Sequence, residues 1–359
     1  MSDKKINIKG KNLSELQEVV ESIGEKKFRA VQLYNWIYEK GSTDFSAMST
    51  FSKSQQNLFD THFSISQIQP DEQFVSIDGT AKFLWKLSDS NKIESVLIPD
   101  DDRLTACVSS QVGCALACAF CATGKMGLTR NLNAGEIYDQ VYQMNQWALK
   151  NRGQKITNIV FMGMGEPMMN LDEVQKSVSL IANEVGVSIS AKRITVSTAG
   201  VAHKIKQLAD SNPKTKLAIS IHSAIGEKRN QIMPINKGTD LLELTDAIRY
   251  YTGKTEQRVT YEYVLFNDFN DGLEDAKALA KLCKAAPSKV NIIMYNPVKD
   301  VALQRATNQR LNDFIEFLVN NHITVSVRQS RGQDIDAACG QLATKNKKKE
   351  QEVGIKEQG

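Results

Sequence analysis

From about residue 104 to residue 328 the sequence alternates between short, apolar, β-rich runs and longer stretches of helical periodicity. The apolar runs lie near 104–109, 158–163, 193–197, 216–221, 258–265, 289–295 and 323–328. The helical stretches lie near 134–150, 171–185, 200–210, 239–253, 272–286 and 307–321. Six strand–helix units and a last strand call for a parallel sheet with helical crossovers. Six units fall short of the eight of a closed barrel, so the spacing predicts an α/β fold built as an open, partial (βα)6 barrel. Asn170/Glu173 and Asp240/Glu243 have capping-box spacing at two of the helix starts.

Upstream the pattern differs. Residues 1–70 read as a small helical N-terminal domain: Asn12 and Glu15 have capping-box spacing, and further helical runs cover 28–38 and roughly 53–63. Tyr34, Trp36 and Tyr38 have rings suited to base stacking, but aromatics in helices mostly pack in the core. Residues 71–103 read as a β-hairpin and strand extension, because two β-rich runs flank Asp78-Gly79. The barrel and its C-terminal loop then occupy 104–343, and the Lys-, Glu- and Gln-rich residues 344–359 read as a disordered tail.

Composition excludes several classes. The 359 residues are 41% hydrophobic and 24% charged, which rules out whole-chain disorder. No apolar stretch is long enough to cross a membrane, and the N-terminus has no apolar signal core, so a cytoplasmic protein without membrane contact is expected. Lys+Arg 45 against Asp+Glu 41 gives +4, which permits a nucleic-acid partner without requiring one.

The cysteines say more. Four of six, Cys107, Cys114, Cys118 and Cys121, fall within fifteen residues, the last three after the first barrel strand; Cys283 and Cys339 lie elsewhere. Cys114-x3-Cys118-x2-Cys121 puts three thiolates on one short loop. That number suits three irons of a [4Fe-4S] cluster and leaves the fourth iron open for chemistry. A zinc site needs a fourth ligand, and the histidines nearest in sequence are His62 and His203. A chance cluster of buried thiols is the bland alternative. Other polar candidates also follow strand ends, where ligands gather in parallel α/β folds. They are Gly165-Glu166-Pro167, Ser197-Thr198, Ser220-Ile221-His222, Asn296-Pro297 and the stretch from Arg331 to Cys339. Cys283, on a helix, reads as a packed, inert thiol.

The cysteine triplet, with an aromatic at Phe120, resembles the signature of the radical S-adenosylmethionine (SAM) superfamily, and Gly165-Glu166-Pro167 resembles its SAM-binding segment. Three blocks, 107–114, 161–167 and 334–341, further resemble the dual-specificity 23S rRNA and tRNA adenine carbon-2 methyltransferases, the RlmN family. The resemblance runs from about residue 10 to 343. It implies a cluster on Cys114, Cys118 and Cys121, with SAM contacts at Gly165, Glu166, Ser197, Ser220, Ile221, His222 and Asn296. It implies that Cys339 takes a methyl group from one SAM and that a second SAM supplies a radical. The methyl carbon then adds to the adenine, Glu94 removes the carbon-2 proton, and Cys107 attacks the Cys339 sulfur to free the base with a disulfide left behind. The implied substrates are an adenosine of the peptidyl-transferase centre in 23S rRNA and an adenosine in tRNA. An electron donor such as flavodoxin and its reductase is implied, and a monomeric enzyme. Lys125, Arg130, Arg328 and Arg331 are candidate phosphate contacts around the rim.

Three alternatives stay open on the sequence. A sister family methylates carbon 8 of the same ribosomal adenosine, and Val112, Pro167 and Arg331-Gly332 fit the carbon-2 branch. A radical SAM enzyme with another substrate leaves Cys107 and Cys339 unexplained. A zinc-stabilised RNA-binding protein predicts a colourless protein that does not cleave SAM.

Overall fold

The computed structural model describes residues 5–343; the expected tail, 344–359, lies outside the described residues. The N-terminal domain comprises β1 (Ile6–Asn7), α1 (Leu13–Ser22), α2 (Phe28–Tyr34), which runs on into a π turn, α3 (Lys53–His62) and β2 (Phe63–Ser64), with β1 and β2 paired in parallel. Asn12 caps α1 as its spacing predicts: Oδ1 accepts from Glu15 N at 2.9 Å, and Glu15 Oε2 accepts from Asn12 N at 2.8 Å. Tyr34 and Tyr38 are core residues, and the Tyr38 hydroxyl is occupied by Gly10 N and Lys11 O, so neither offers a free ring to a base. Trp36 is half-buried and donates to Thr50.

A meander follows: β3 (Gln69–Val75), β4 (Ala81–Lys86), β5 (Lys92–Asp100) and β6 (Arg103–Cys107), all antiparallel. Asp78-Gly79 makes the β3–β4 turn, where Gly79 takes φ +83°. After β6 come a short ribbon of β7 (Gln111–Cys114) and β8 (Gly127–Asn131), separated by α4 (Ala122–Lys125). The repeating units then run α5 (Ala134–Arg152), β9 (Asn158–Phe161), α6 (Leu171–Ala182), β10 (Ile194–Thr198), α7 (Ala202–Asp210) and β11 (Lys216–Ser220). They continue with α8 (Gly226–Ile232), α9 (Leu241–Thr255), β12 (Val259–Leu265), α10 (Leu273–Cys283), β13 (Ser288–Met294), α11 (Asn308–Asn320) and β14 (Val325–Arg328).

One ten-stranded sheet holds β3 to β6 and β9 to β14. From β6 to β14 all pairings are parallel and the strands stand in chain order, as six right-handed units require. The meander is therefore continuous with the barrel sheet: β6 pairs with β5 on one side and β9 on the other. The β7–β8 ribbon was not foreseen, because its strands are short and lack strict alternation. The capping box expected at Asn170 does not form. Asn170 Nδ2 instead satisfies the buried carbonyls of Ser110 (2.9 Å) and Leu132 (2.8 Å), and Glu173 accepts from Ala134 N. Asp240 does cap α9, accepting from Glu243 N at 2.8 Å.

The N-terminal domain is fastened to α5. Lys9 Nζ lies 2.9 Å from Asp139, both side chains are buried, and the ammonium sits over the rings of Tyr38, Tyr138 and Tyr142. Beside it a Cβ on Gly10 would come within 2.6 Å of Gly135 N, so the two backbones touch. Asp139→Ala leaves a buried ammonium without its counter-charge and is expected to cost about 3–5 kcal/mol in urea unfolding. The double change Lys9→Met/Asp139→Leu should recover most of that loss.

Candidate active site

The strands from β9 to β13 and the β7–α4 loop surround one cleft of about 1050 Å³, open mouth included. Cys114 closes β7, and Cys121 precedes α4. The loop between them is tight: Ala117 is left-handed (φ +49°), Cys121 N donates to Cys118 O, and Ala119 N donates to Ile232 O. Gly113 (φ +78°) is obligatory, since a Cβ there would lie 1.8 Å from Gly127 O. All three thiols line the cleft. Burial pushes Cys114 up to about 11, and pushes Cys118 up further with Cys121 and Cys114 as neighbours. Among the described residues no three His, Cys, Asp or Glu converge on a single-ion site. Three soft donors spread round one cavity fit a polynuclear iron–sulfur cluster, whose irons would take the thiol protons' place.

The opposite wall carries the carboxylate of Glu166, which is buried and accepts from Ala199 N (2.8 Å) and Met168 N (2.9 Å). Burial raises its pKa against those hydrogen bonds. Gly165 (φ +100°) packs so closely that a Cβ would lie 2.5 Å from Gln111 Cβ, and Gln111 Oε1 accepts from Glu166 N, tying this wall to the cysteine strand. Ser197 and Ser220, on neighbouring strands, have hydroxyls 3.5 Å apart. Asn296 donates to Cys339 O. His222 is left-handed (φ +50°), lies edge-on to Phe120, and accepts from Val264 N at Nδ1. Its proton therefore resides on Nε2.

Gly165, Glu166, Ser197, Ser220, His222, Asn296 and Cys339 all line the cleft together with the three cysteines. Ile221 is in the core instead, contributing its backbone: its N–H donates to Glu262 O and its carbonyl accepts from Arg229. Cys107 is buried at the end of β6, and its thiol is pushed up to about 12 by burial and by Cys339, with Arg328 opposing. Cys107 and Cys339 are both free thiols, as is every cysteine of the described structure, so the disulfide implied by the resemblance is absent from it. Glu94, on β5, lies outside the cleft lining; its carboxylate accepts from Ala343 N (3.1 Å) and faces Lys82 Nζ at 3.8 Å. Cys283 is buried and away from the cleft.

The rim cations divide. Arg130 is paired with Asp89 and Glu136, and Arg331 stands 3.9 Å from Asp100. Arg328 turns inward to Cys339, Glu262 and Cys107, and donates to Met162 Sδ. Lys125 remains exposed and donates to the backbone of residues 299 and 300. Two residues escaped the sequence reading. Arg229 is fully buried, and its guanidinium donates to Ala199 O (2.5 Å), Asn236 Oδ1 (2.7 Å) and Ile221 O (3.3 Å), joining the ends of β10 and β11. Glu262 interrupts the apolar run of β12, which was a usable signal; its Oε1 accepts from Asn291, and Oε2 is buried without a hydrogen-bond partner.

This open barrel with a three-cysteine loop at its strand ends is the radical SAM α/β fold. Residues 108–283 match the family model "Radical SAM superfamily", and residues 6–65 match "Ribosomal RNA large subunit methyltransferase N-terminal domain". The chain is 47% identical over 346 residues to a probable dual-specificity RNA methyltransferase RlmN of Christiangramia forsetii, covering 96% of this chain and 98% of that one. A protein of the same description from Salinibacter ruber is 45% identical over 350 residues, with 95% of each chain covered. The crystal structure of a radical SAM methyltransferase from Sphaerobacter thermophilus superimposes with a TM-score of 0.88 at 40% identity, over 94% of this chain and 99% of that one. The chain belongs to the RlmN family of radical SAM RNA methyltransferases.

Burial, with Arg229 adding to it, pushes the His222 pKa down from 6.5 to about 3. Below pH 6.5 the unfolded chain takes up a proton that the folded chain refuses. Unfolding free energy from urea titrations is therefore expected to fall as pH drops from 6.5 toward 3. His222→Gln should flatten that part of the profile.

Proposed function

We propose that this protein methylates carbon 2 of adenosine in 23S rRNA and in tRNA, using two SAM molecules per turnover and a methyl group carried on Cys339. The observation that carries the reading is the shared cleft: Cys339 lines it together with Cys114, Cys118 and Cys121, and lies within electrostatic reach of Cys107. Carbon 2 of adenine lies between two ring nitrogens and is too electron-poor to attack a sulfonium methyl, so a radical route is chemically motivated. When bound, the cluster held by the three cysteines would reduce SAM and supply a radical able to abstract hydrogen.

The chain's own residues do the rest. Glu166 accepts a cationic amino group without moving, because two backbone N–H groups already orient its carboxylate. Ser197, Ser220, His222 and Asn296 offer hydroxyl, Nε2–H and amide groups to the polar parts of the same ligand. Cys339 is exposed at the cleft, and Arg328 beside it favours its thiolate, which prepares the sulfur to take a methyl group. Cys107 is the partner thiol that frees the base from Cys339. Glu94, on β5 behind the cleft with Lys82 Nζ 3.8 Å from its carboxylate, is the base that the family resemblance implies for the carbon-2 proton. The target adenosine leaves its stack to reach the cleft, and electrons come from a donor such as flavodoxin.

Incubation of Cys107→Ala with SAM, reductant and substrate RNA should leave protein covalently attached to RNA, read as a shifted band on a denaturing gel. Cys339→Ala should give neither adduct nor product. Mass spectrometry of digested RNA should place the methyl on carbon 2; a carbon-8 product assigns the chain to the sister chemistry instead.

A further inference from the structure

We propose that the β3–β4 hairpin is a positioning element for this reaction, with Asp78 and Asp334 anchoring the loop that presents Cys339. The inference rests on the reading of Cys339 as the methyl carrier.

The loop after β14 has little structure of its own. It holds one short turn, Gln333–Ile335, and three left-handed residues, Gly332 (φ +64°), Asp336 (φ +50°) and Gly340 (φ +87°). The end of β13 holds it through Asn296 and Pro297, which bond Gln333, Cys339 and Gln341, and two further sides fix it. On the cluster side, Ala122 N donates to Gly340 O (2.8 Å), and Thr123 Oγ1 donates to Leu342 O (2.6 Å). On the hairpin side the two turns exchange acids. Asp78 Oδ2 accepts from Gly332 N (2.8 Å), while Asp334 accepts from Ser76 Oγ (2.6 Å) and Ile77 N (3.3 Å). Lys82 Nζ adds a bond to Asp336 O. The fit is close: a Cβ on Gly332 would lie 2.8 Å from Thr80 Cγ2 and 2.9 Å from Ala337 Cβ. The bonds from Gly332 and Thr80 hold the Asp78 carboxylate at about pKa 2, despite some burial.

Cys339 lies between the cluster-side and hairpin-side anchors, with Asn296 on its carbonyl, and the hairpin fixes the N-terminal half of the loop that carries it into the cleft. The hairpin tip buries little for the core: Phe74, Val75 and Ile77 are exposed, Ile77 fully. Of the polar groups of its turn, Asp78 Oδ2, Ser76 Oγ and Ile77 N bond to the loop. A displacement of the sulfur by an ångström at a reacting centre costs rate far more than stability.

The test uses cluster-loaded full-length enzyme and compares Asp78→Ala/Asp334→Ala with Asp78→Asn/Asp334→Asn, which keeps an acceptor at each site. Three readouts are taken: iodoacetamide labelling of Cys339 by peptide mass spectrometry, cluster absorbance, and kcat and KM for SAM. The alanine pair is expected to label Cys339 several-fold faster. It should lose roughly tenfold or more in kcat, with KM for SAM and cluster absorbance unchanged, and the asparagine pair should stay near wild type. Wild-type labelling and kcat in the alanine pair overturn the proposal, as does faster labelling with undiminished kcat. Should the alanine pair fail to fold or load cluster, Ser76→Ala, which drops one hydrogen bond, must show the same changes in smaller measure; a wild-type result there also overturns it. Labelling needs no turnover, so it reports on the anchor even if the RNA product assigns a different reaction.

Discussion

A parallel sheet whose strands stand in chain order must place every crossover helix on one face, and the rest of this structure follows from that constraint. The free face curls inward, and the strand ends from β9 to β13 meet round one cleft. Glu166, Ser197, Ser220, His222 and Asn296 come from four units, yet each stands at or just past the end of a strand of the same sheet. Hydrophobic burial on the helix side supplies stability; the concave side is left free for polar groups that water or helices would otherwise cover.

Those polar groups are held in an unusual balance of charge. Glu166 and Glu262 are buried carboxylates, Arg229 is a buried cation, and Arg328, half-buried, faces Glu262. None of the four is matched by a direct salt bridge among the described residues. Arg229 is satisfied by two carbonyls and an amide, and Glu166 by two N–H groups. Such dispersed satisfaction leaves net fields in the cleft while avoiding the full penalty of an unpaired buried ion. The protonation preferences follow: His222 is neutral, and the thiols are protonated until a stronger acceptor takes the sulfur.

The loop carrying Cys339 belongs to neither the barrel nor the hairpin alone. It bridges the cysteine loop and the β3–β4 turn, so elements separated by some 250 residues in sequence share one set of hydrogen bonds. The meander extends the sheet by three strands, and through its turn it reaches the loop that carries Cys339.

Much of this was readable from the chain. Strand and helix existence followed from periodicity, because a core-facing stripe must repeat at the spacing of its element. The cysteine triplet pointed to a cluster because three soft donors on eight residues have few other uses. The sequence could not say that Asn170 would serve two distant carbonyls instead of its own helix. It could not say that Arg328 would face inward while Arg130 is neutralised at the surface, or that Tyr34 and Tyr38 would be packed away. Nor could it separate Ile221, which works through its backbone, from the side chains beside it that line the cleft. Local pattern determines which elements form; hydrogen-bond partners and charge environments come from residues far apart in the chain, and only the folded packing brings those together.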